Sequence, residues 1–261
     1  MLFRLFLLTL ATLAASAQAF AAGQAQTWQV DGGARTGLVF APDSAGAEPA
    51  PLVFVFHGHG GTARRSSNQF KIQELWPEAI VIYPQGLNTP GRLTDPDGLK
   101  PGWQAHVGDQ NDRDLKLFDA LLKWAHQTYK VDDKRIYCTG HSNGAAFTYL
   151  LWGARGDTFA AVAAACAPAI TPIQEMKAKP AMHIGSPDDP IVNFDWQQKT
   201  IDAIRKLNAC DAEGKPDGDR ITLYPSASGT PLETYIYPGG HTPPPEAWPE
   251  VVKFFKAHPG K

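Results

Sequence analysis

Short apolar runs alternate along this chain with stretches of helical periodicity, and this alternation restricts the folds that the chain can adopt. The apolar runs lack polar alternation, which is typical of strands covered on both faces. The clearest helical stretch spans 114–129, where Leu115, Phe118 and Leu121 recur on one side and charged residues take the other. The predicted strands span 52–56, 79–83, 135–139, 160–165, 181–184 and 234–237, and the predicted helices span 63–76, 114–129, 143–154, 196–208 and 246–257.

This order of elements predicts an α/β fold with a mainly parallel, twisted sheet and helices on both faces. Residues 28–30 and 37–40 are typical of an antiparallel hairpin at one edge of the sheet. No internal repeat or low-complexity linker interrupts the pattern, and about 250 residues are common for one α/β domain. We therefore expect a single domain over residues 22–261, in which 88–102, rich in Pro, Gly and Asp, is a long surface loop near the mouth of a site.

The first 21 residues predict an export signal rather than a part of the fold. One basic residue, Arg4, precedes an apolar run from Leu5 to Leu13, and small residues follow it. A membrane-spanning helix needs about 20 apolar residues, more than this run contains. The alternative is a buried amino-terminal helix, but neither a cap nor a polar face supports it. We expect residues 1–21 to be removed and the protein to be secreted or periplasmic, without a membrane anchor.

Charge and cysteine content narrow the class of protein further. The 24 Lys and Arg residues against 26 Asp and Glu residues give a net charge of −2, so we expect no nucleic-acid partner. We also expect a monomer.

The three cysteines, Cys138, Cys166 and Cys210, have neither a CxxC pair nor zinc spacing. Their odd number leaves open one disulfide of unassigned pairing with one free thiol, or buried thiols that act as small apolar groups.

The strongest chemical signal is the segment Gly140-His141-Ser142-Asn143-Gly144, which lies between a predicted strand and a predicted helix. In such a G-x-S-x-G element the tight turn exposes the serine hydroxyl, and the small flanking residues let neighbouring backbone pass closely. The start of the helix favours negative charge at this point. The segment therefore predicts Ser142 as a nucleophile, which needs a base and an orienting acid because a free hydroxyl reacts poorly.

Candidates for the acid and the base follow Ser142 in chain order. Asp188 and Asp189 lie in the loop after the predicted strand 181–184, and His241 lies in a Gly-Gly loop before the last predicted helix. Serine, acid and histidine in this order at strand ends are typical of hydrolases with this turn. The residues alone leave open which aspartate acts. They also leave open a capping role for the aspartates and an ordinary loop position for His241.

A loop after the first buried strand predicts the groups that would stabilise a developing oxyanion. One donor is the backbone N–H of Asn143, which follows the nucleophile. The second donor comes from the segment His57-Gly-His-Gly-Gly61, where we assign the N–H of His59, with Gly60 as the alternative. His57 and His59 also suggest a metal site, but no carboxylate or cysteine lies at ligand spacing. We expect no metal and no cofactor.

Five segments form a combination that is specific when they occur together. They are His57-Gly-His-Gly-Gly61, Tyr83-Pro-Gln-Gly-Leu87, Gly140-His-Ser-Asn-Gly-Ala145, Asp189-Pro-Ile-Val192 and Gly239-Gly-His241. This combination resembles the secreted polyhydroxybutyrate depolymerase/feruloyl esterase group of α/β-hydrolases, over about 52–255. The resemblance implies the α/β-hydrolase fold, with Ser142 as nucleophile, His241 as base and Asp189, in the Asp-Pro-x-Val position, as acid.

The same resemblance implies a serine ester hydrolase that acts through an acyl-enzyme on short or oligomeric hydroxyalkanoate esters, or on feruloyl or acetyl esters of sugars. This sequence has Asn-Gly-Ala after the serine, where many depolymerases have Ala-Gly-Gly, and we expect no linker or polymer-binding domain. Both departures favour a soluble or oligomeric ester over a crystalline polyester. Trp103 and Trp196 are candidates to line the acyl or sugar pocket, with packing as the alternative.

Two other functions are compatible with these residues. A secreted serine peptidase of the prolyl-oligopeptidase type would use the same three side chains, although such enzymes usually carry a large extra domain. A catalytically silent envelope or carbohydrate-binding module would keep the fold without turnover. Comparing the turnover of peptides with that of esters distinguishes the peptidase from the ester hydrolase. A fluorophosphonate distinguishes an active enzyme from the silent module, because the silent module would leave Ser142 unlabelled.

Overall fold

A computed structural model of the chain describes residues 23–170, 173 and 176–260. Its central element is a ten-stranded mixed sheet, and a separate ladder of two short strands, β5 and β6, lies outside it. The strands are β1 (Gln24–Val30), β2 (Gly33–Phe40), β3 (Ala50–Phe56), β4 (Ile80–Pro84), β5 (Leu87–Asn88), β6 (Pro101–Gly102), β7 (Val131–His141), β8 (Ala161–Ala165), β9 (Ala181–Gly185), β10 (Lys215–Pro216), β11 (Ile221–Tyr224) and β12 (Leu232–Ile236).

Six neighbouring strands form the parallel centre of the sheet, in the order β4-β3-β7-β8-β9-β12. The hairpin of β1 and β2 extends one edge, and β11 and β10 extend the other, in antiparallel pairing. Phe56 at the end of β3 pairs with Gly140 near the end of β7, so the loops that follow these two strands leave the same edge side by side. The predicted mainly parallel sheet is confirmed.

Helices cover both faces of this sheet. They are α1 (Ala63–Phe70), α2 (Ile72–Leu75), α3 (Arg113–Thr128), α4 (Asn143–Arg155), α5 (Phe194–Leu207) and α6 (Ala247–Ala257). Successive residues of a strand point to opposite faces. Phe54 of β3 therefore joins the apolar cluster that includes side chains of α3, α4 and α5, and Val53 joins the cluster that includes side chains of α1, α2 and α6.

The prediction of one helix over 63–76 is wrong, because the chain turns at Lys71. Lys71 has a left-handed φ of 51°, and its N–H donates to Ser67 O, which ends α1. Phe70 and Ile72 on either side of the turn are both buried in the same apolar cluster. Residues two apart in a continuous helix do not share a face. The break therefore lets both side chains enter the core.

The remaining predicted strands and helices are present, with boundaries that differ by a few residues. The edge strands β10 and β11 are absent from the prediction, since only Ile221 among their residues is buried and their sequence carries little apolar pattern. The two strands that we predict as an edge hairpin do pair with each other, over a longer span than the sequence indicates.

The export signal predicted over residues 1–21 lies outside the described residues. Within the described ranges, no helix combines the length and the apolar character that crossing a membrane requires. Cys138, Cys166 and Cys210 are free thiols, so none of the disulfide pairings left open by the sequence is formed.

Candidate active site

Ser142 lies at the turn where β7 ends and α4 begins. Its backbone has φ 56° and ψ −121°. A non-glycine residue held in such a sparsely populated region costs on the order of 1–3 kcal/mol. The Ser142 N–H donates to the carbonyl oxygen of Ala165 at 2.8 Å. This hydrogen bond holds the strained turn against the end of the neighbouring strand β8.

Gly140 and Gly144 make this turn possible. A Cβ at Gly140 would collide with the backbone of Gly144, and a Cβ at Gly144 would collide with the carbonyl oxygens of Phe56 and His57. These neighbours are backbone atoms, which cannot rotate away as the end of a side chain can. The two glycines of the motif are therefore required by the close approach of α4 to β3 and to its own preceding strand.

His241 and Asp189 meet Ser142 at the carboxyl edge of the sheet. The Oγ–H of Ser142 donates to His241 Nε2 at 2.7 Å, and His241 Nδ1–H donates to Asp189 Oδ2 at 2.7 Å. The three side chains thus form one continuous hydrogen-bonded chain. They come from the ends of three strands, since His241 follows β12 and Asp189 follows β9.

The carboxylate of Asp189 is buried and well supplied with donors. Its Oδ1 accepts the N–H groups of Ile191 and Val192, both at 2.9 Å, and Gln197 Nε2 lies 3.5 Å from Oδ2. Asp188 points elsewhere and lies 3.4 Å from the N–H of Gly239. Between the two aspartates that the residues left open, Asp189 is therefore the one that contacts His241.

The two candidate oxyanion donors on the His57–Gly61 loop differ in their hydrogen bonding. The Gly60 N–H donates to Pro101 O at 2.7 Å, so this donor is already engaged and the geometry gives the alternative assignment to Gly60 no support. The N–H of His59 makes no hydrogen bond to a described acceptor. The loop lies against Ser142, because a Cβ at Gly58 would lie 3.5 Å from Ser142 Cβ. The N–H of Asn143, at the start of α4, has no intrahelical acceptor.

The side chains of His57 and His59 hold the loop in place. His57 Nδ1–H donates to Gly58 O at 2.8 Å, and its Nε2 accepts the N–H of Gly86 at 2.9 Å. Burial lowers the pKa of His57 to about 4, so the ring is neutral at physiological pH. His59 Nε2 lies 3.0 Å from a carboxylate oxygen of Asp95, in the 88–102 loop. Both rings are therefore tied to protein groups that fix the backbone near Ser142.

His141, Cys166 and His241 form the one group of potential metal ligands found among the described residues, with ligand atoms within 4.8 Å of one another. The His241 nitrogens already contact Ser142 and Asp189, however, and His141 Nε2 lies 2.6 Å from the carbonyl oxygen of His241. Burial, and then the neighbouring His241, lowers the pKa of His141 to about 4. The contacts are those of a neutral ring that supports the His241 backbone.

The predicted pocket role of Trp103 requires correction. Trp103 is 1% exposed, stacks on Phe147 with ring centroids 5.4 Å apart, and donates its Nε1–H to His57 O at 2.8 Å. The alternative of packing is the correct one. Trp196 is 45% exposed at the start of α5 and is not among the residues that line the cavity at Ser142. Neither tryptophan therefore lines the cavity beside Ser142.

Sequence reasoning missed the part that the side chain of Asn143 plays. Its Oδ1 accepts the N–H of Trp103 at 2.7 Å, and its Nδ2 donates to the carbonyl oxygen of Trp103 at 3.1 Å. This pair of hydrogen bonds ties the end of the 88–102 loop to the serine turn. The sequence indicates this link only by placing an amide side chain directly after Ser142 in the motif.

A cavity of about 770 Å³ opens beside these residues. Ser142, His241, His59 and Gly60 line it, together with the first turns of α1. Its size falls within the range of about 300–1,000 Å³ that is usual for sites of small ligands. Ser142 and His241 are therefore open to a ligand and are not enclosed in the core.

Comparison with known proteins relates the chain to hydrolases. The sequence model of the prolyl oligopeptidase family matches residues 103–209. Probable feruloyl esterase C of Aspergillus flavus is 26% identical over 216 residues, covering 78% of this chain and 75% of the fungal protein. These relatives agree with the feruloyl esterase part of the resemblance, whereas the polyhydroxybutyrate depolymerase part stays a prediction.

Solved structures of similar shape agree with this relationship at the level of the fold. An S-formylglutathione hydrolase from Agrobacterium tumefaciens superposes with a TM-score of 0.66 at 13% identity, covering 92% of this chain and 99% of that protein. An acetyl xylan esterase from Aspergillus awamori gives a TM-score of 0.62 at 14% identity, with 90% and 99% covered. The described residues therefore adopt the α/β-hydrolase fold, and the chain is similar in sequence to the prolyl oligopeptidase family over residues 103–209 and to a fungal feruloyl esterase over most of its length.

Proposed function

We propose that the protein is a serine carboxylic-ester hydrolase that acts through an acyl-enzyme. The observation that carries the proposal is the continuous hydrogen-bonded chain from Ser142 Oγ through His241 to Asp189. The strained serine turn and the free N–H groups beside it supply the other two requirements of acyl transfer, an exposed nucleophile and donors for the oxyanion. The esterase relatives support the choice of ester over other acyl compounds.

In the first half of the reaction, Ser142 Oγ attacks the ester carbonyl carbon while its proton passes to His241 Nε2. The carbonyl oxygen becomes an oxyanion that accepts hydrogen bonds from the N–H groups of Asn143 and His59. The tetrahedral intermediate then expels the alcohol, which takes the proton from His241. Asp189 keeps the imidazole in the required tautomer and stabilises its positive charge.

In the second half, water replaces the alcohol. His241 removes a proton from the water as its oxygen attacks the acyl carbon, and the same two N–H groups hold the new oxyanion. The bond to Ser142 Oγ breaks, and the proton on His241 returns to the serine. The products are a carboxylic acid, an alcohol and the free enzyme, without a metal or an organic cofactor.

The proposed substrates are short or oligomeric hydroxyalkanoate esters, or feruloyl and acetyl esters of sugars. Two relatives, one from Aspergillus flavus and one from Aspergillus oryzae, carry the name probable feruloyl esterase C. Their name supports the feruloyl and acetyl esters of sugars. An open cavity of about 770 Å³ beside Ser142 suits a small or oligomeric ester. We further propose that the mature protein, residues 22–261, is a secreted or periplasmic monomer that needs neither nucleic acid nor a membrane.

A serine peptidase is the second candidate, and the match of residues 103–209 to the prolyl oligopeptidase family favours it. Parallel assays with a proline-containing peptide p-nitroanilide and a p-nitrophenyl ester of matched acyl group separate the two functions. Faster turnover of the amide would favour the peptidase. A silent carbohydrate-binding module would turn over neither compound.

Replacement of Ser142 by alanine tests the proposal. We expect Ser142→Ala to lower kcat/KM on p-nitrophenyl acetate and butyrate by about 10³-fold or more, because the nucleophile is lost. Ser44→Ala, at an exposed serine near the opposite end of β3, is the matched control. Activity of Ser142→Ala within tenfold of the parent would overturn the proposed function.

A further inference from the structure

Two arginines line the cavity beside the proposed nucleophile. Arg64 and Arg65, both exposed, lie in the first turn of α1 and share the lining of the cavity with Ser142 and His241. No carboxylate is among the described residues that line it. One wall of the site therefore carries two positive charges with no negative charge facing the same space.

The two guanidinium groups have no partners among the residues that the structure describes. Neither Arg64 nor Arg65 forms an ion pair or a side-chain hydrogen bond with a described residue. Most of the other described arginines pair with an aspartate. The paired ones are Arg35, Arg113, Arg135, Arg155, Arg205 and Arg220. Arg92, which likewise forms no ion pair within the described part of the chain, lies two residues from Thr94, a residue that lines the same cavity.

The placement of these charges is unfavourable for the helix itself. The amino-terminal turn of a helix carries a partial positive charge, so that acidic side chains stabilise it and basic ones do not. The first turn of α1 contains no acidic residue. Local helix stability therefore does not explain why two basic residues occur at this point, and an anion in the cavity would.

The charge lies within electrostatic reach of the reacting groups. The positive charge of Arg65 is among the causes that lower the pKa of His141, whose ring lies 4.8 Å from that of His241. Asp95, the acidic residue closest in sequence to the lining residue Thr94, is already engaged by His59. An anionic group on a bound ester would thus meet the arginines while its carbonyl group reaches Ser142.

We propose that Arg64 and Arg65 form an anion subsite that selects esters bearing a free carboxylate. This inference rests on the proposed function and narrows its substrate class. The planar guanidinium group matches a carboxylate with two parallel hydrogen bonds, so two adjacent arginines suit this anion better than a neutral acyl chain. The carboxylate belongs to the acyl part or to the alcohol part of the substrate, and matched substrates distinguish the two.

Two pairs of esters test the subsite, each with and without the charge. Monomethyl adipate against methyl hexanoate places the carboxylate on the acyl side, and 3-acetoxybenzoate against 3-acetoxybenzamide places it on the alcohol side. For one pair we expect the parent to favour the anionic ester in kcat/KM by about tenfold at low salt, the scale of one or two exposed charge contacts. The preference decreases as salt screens the arginines. A parent that favours the neutral ester of both pairs would overturn the inference.

Substitutions assign the preference to these residues. In Arg64→Gln/Arg65→Gln the ratio of anionic to neutral kcat/KM falls to about one, and in Arg64→Lys/Arg65→Lys part of it returns because the charge is kept. Arg220→Gln removes an arginine at the far edge of the sheet, outside the cavity lining, and leaves the ratio unchanged. An equal ratio in the parent and in the double glutamine variant would contradict the assignment.

A binding measurement keeps this inference separate from the proposed function. If the parent hydrolyses the neutral esters and Ser142→Ala does not, the proposed function stands whatever the charge preference is. If no ester is hydrolysed, calorimetric titration of monomethyl adipate into Ser142→Ala decides the subsite alone. The subsite is supported if Ser142→Ala binds monomethyl adipate and the addition of Arg64→Gln and Arg65→Gln abolishes this binding. It is overturned if Ser142→Ala does not bind the compound, or if the two added substitutions leave the binding unchanged.

Discussion

Asp189 illustrates how single residues control this site. Its buried carboxylate accepts two backbone N–H groups on Oδ1 and the imidazole N–H on Oδ2. The buried charge is therefore compensated without a cationic side chain. The carboxylate of Asp188, its neighbour in sequence, instead accepts a long hydrogen bond from the N–H of Gly239. The direction of two adjacent side chains depends on the local turn, which the residue types do not reveal.

The two aspartates predict different kinetic outcomes. Asp189→Asn keeps the size of the side chain but favours the wrong tautomer of His241, so we expect kcat to fall by about 10³–10⁴-fold. Asp188→Asn, the matched control, should stay within about tenfold of the parent, since it does not touch the imidazole. Steady-state rates on a p-nitrophenyl ester decide the matter. A larger loss in Asp188→Asn than in Asp189→Asn would reverse the assignment.

At the scale of elements, the serine turn depends on the contact between α4 and β3. Gly144, in the first turn of α4, lies against the carbonyl oxygens of Phe56 and His57 at the end of β3. The same contact sets the distance between Ser142 and the His57–Gly61 loop. A change in helix position would therefore move the proposed nucleophile and the proposed oxyanion donors relative to each other.

Gly144→Ala tests this contact. The added methyl group overpacks the junction, so we expect a loss of about 2 kcal/mol in unfolding free energy and a decrease of roughly 5 °C in Tm, with reduced kcat. Gly46→Ala is the control, because a Cβ at Gly46 meets no atom within 4 Å. Calorimetry of both variants provides the comparison. A Gly144→Ala protein as stable and active as Gly46→Ala would show that the close approach is not needed.

Much of the architecture could be predicted from the sequence because short apolar runs and helical periodicity persist through the parallel centre. The split of 63–76 could not, since Lys71 adopts a left-handed conformation that its residue type does not favour. The burial of Trp103 could not be predicted from the sequence either. Its packing against Phe147 and its hydrogen bond to His57 O join segments far apart in the chain. The pattern indicated the three side chains that the structure brings together, and their surroundings depend on tertiary contacts that no local pattern contains.

At the scale of the whole molecule, buried neutral histidines link stability to pH. Burial lowers the pKa of His183 to about 4, and its ring accepts from Tyr149 Oη–H at 2.7 Å and donates to Gln197 Oε1 at 3.2 Å. Gln197 in turn contacts Asp189. Because the unfolded chain protonates its histidines near pH 6.5 and the folded state does not until near pH 4, stability is present above pH 6.5 and is lost as the pH falls through this window.

His183→Gln isolates this effect. Between pH 7.5 and 5, we expect the decrease in unfolding free energy to be smaller in the variant than in the parent by about 2 kcal/mol. Burial raises the pKa of Glu233 to about 7, which acts in the opposite direction, but this contribution is common to both proteins. Urea unfolding at the two pH values measures the difference. Equal pH dependence in the two proteins would contradict the account of His183.

Covalent labelling tests the central claim, that Ser142 is a nucleophile activated by His241, most directly. The protein is treated with a fluorophosphonate, and intact mass and peptide mapping locate the adduct. We predict one phosphonyl group on Ser142, slowed by a competing ester, strongly slowed in His241→Ala and absent in Ser142→Ala. An unlabelled Ser142 in a protein that hydrolyses esters, or an adduct on another residue, would contradict the account.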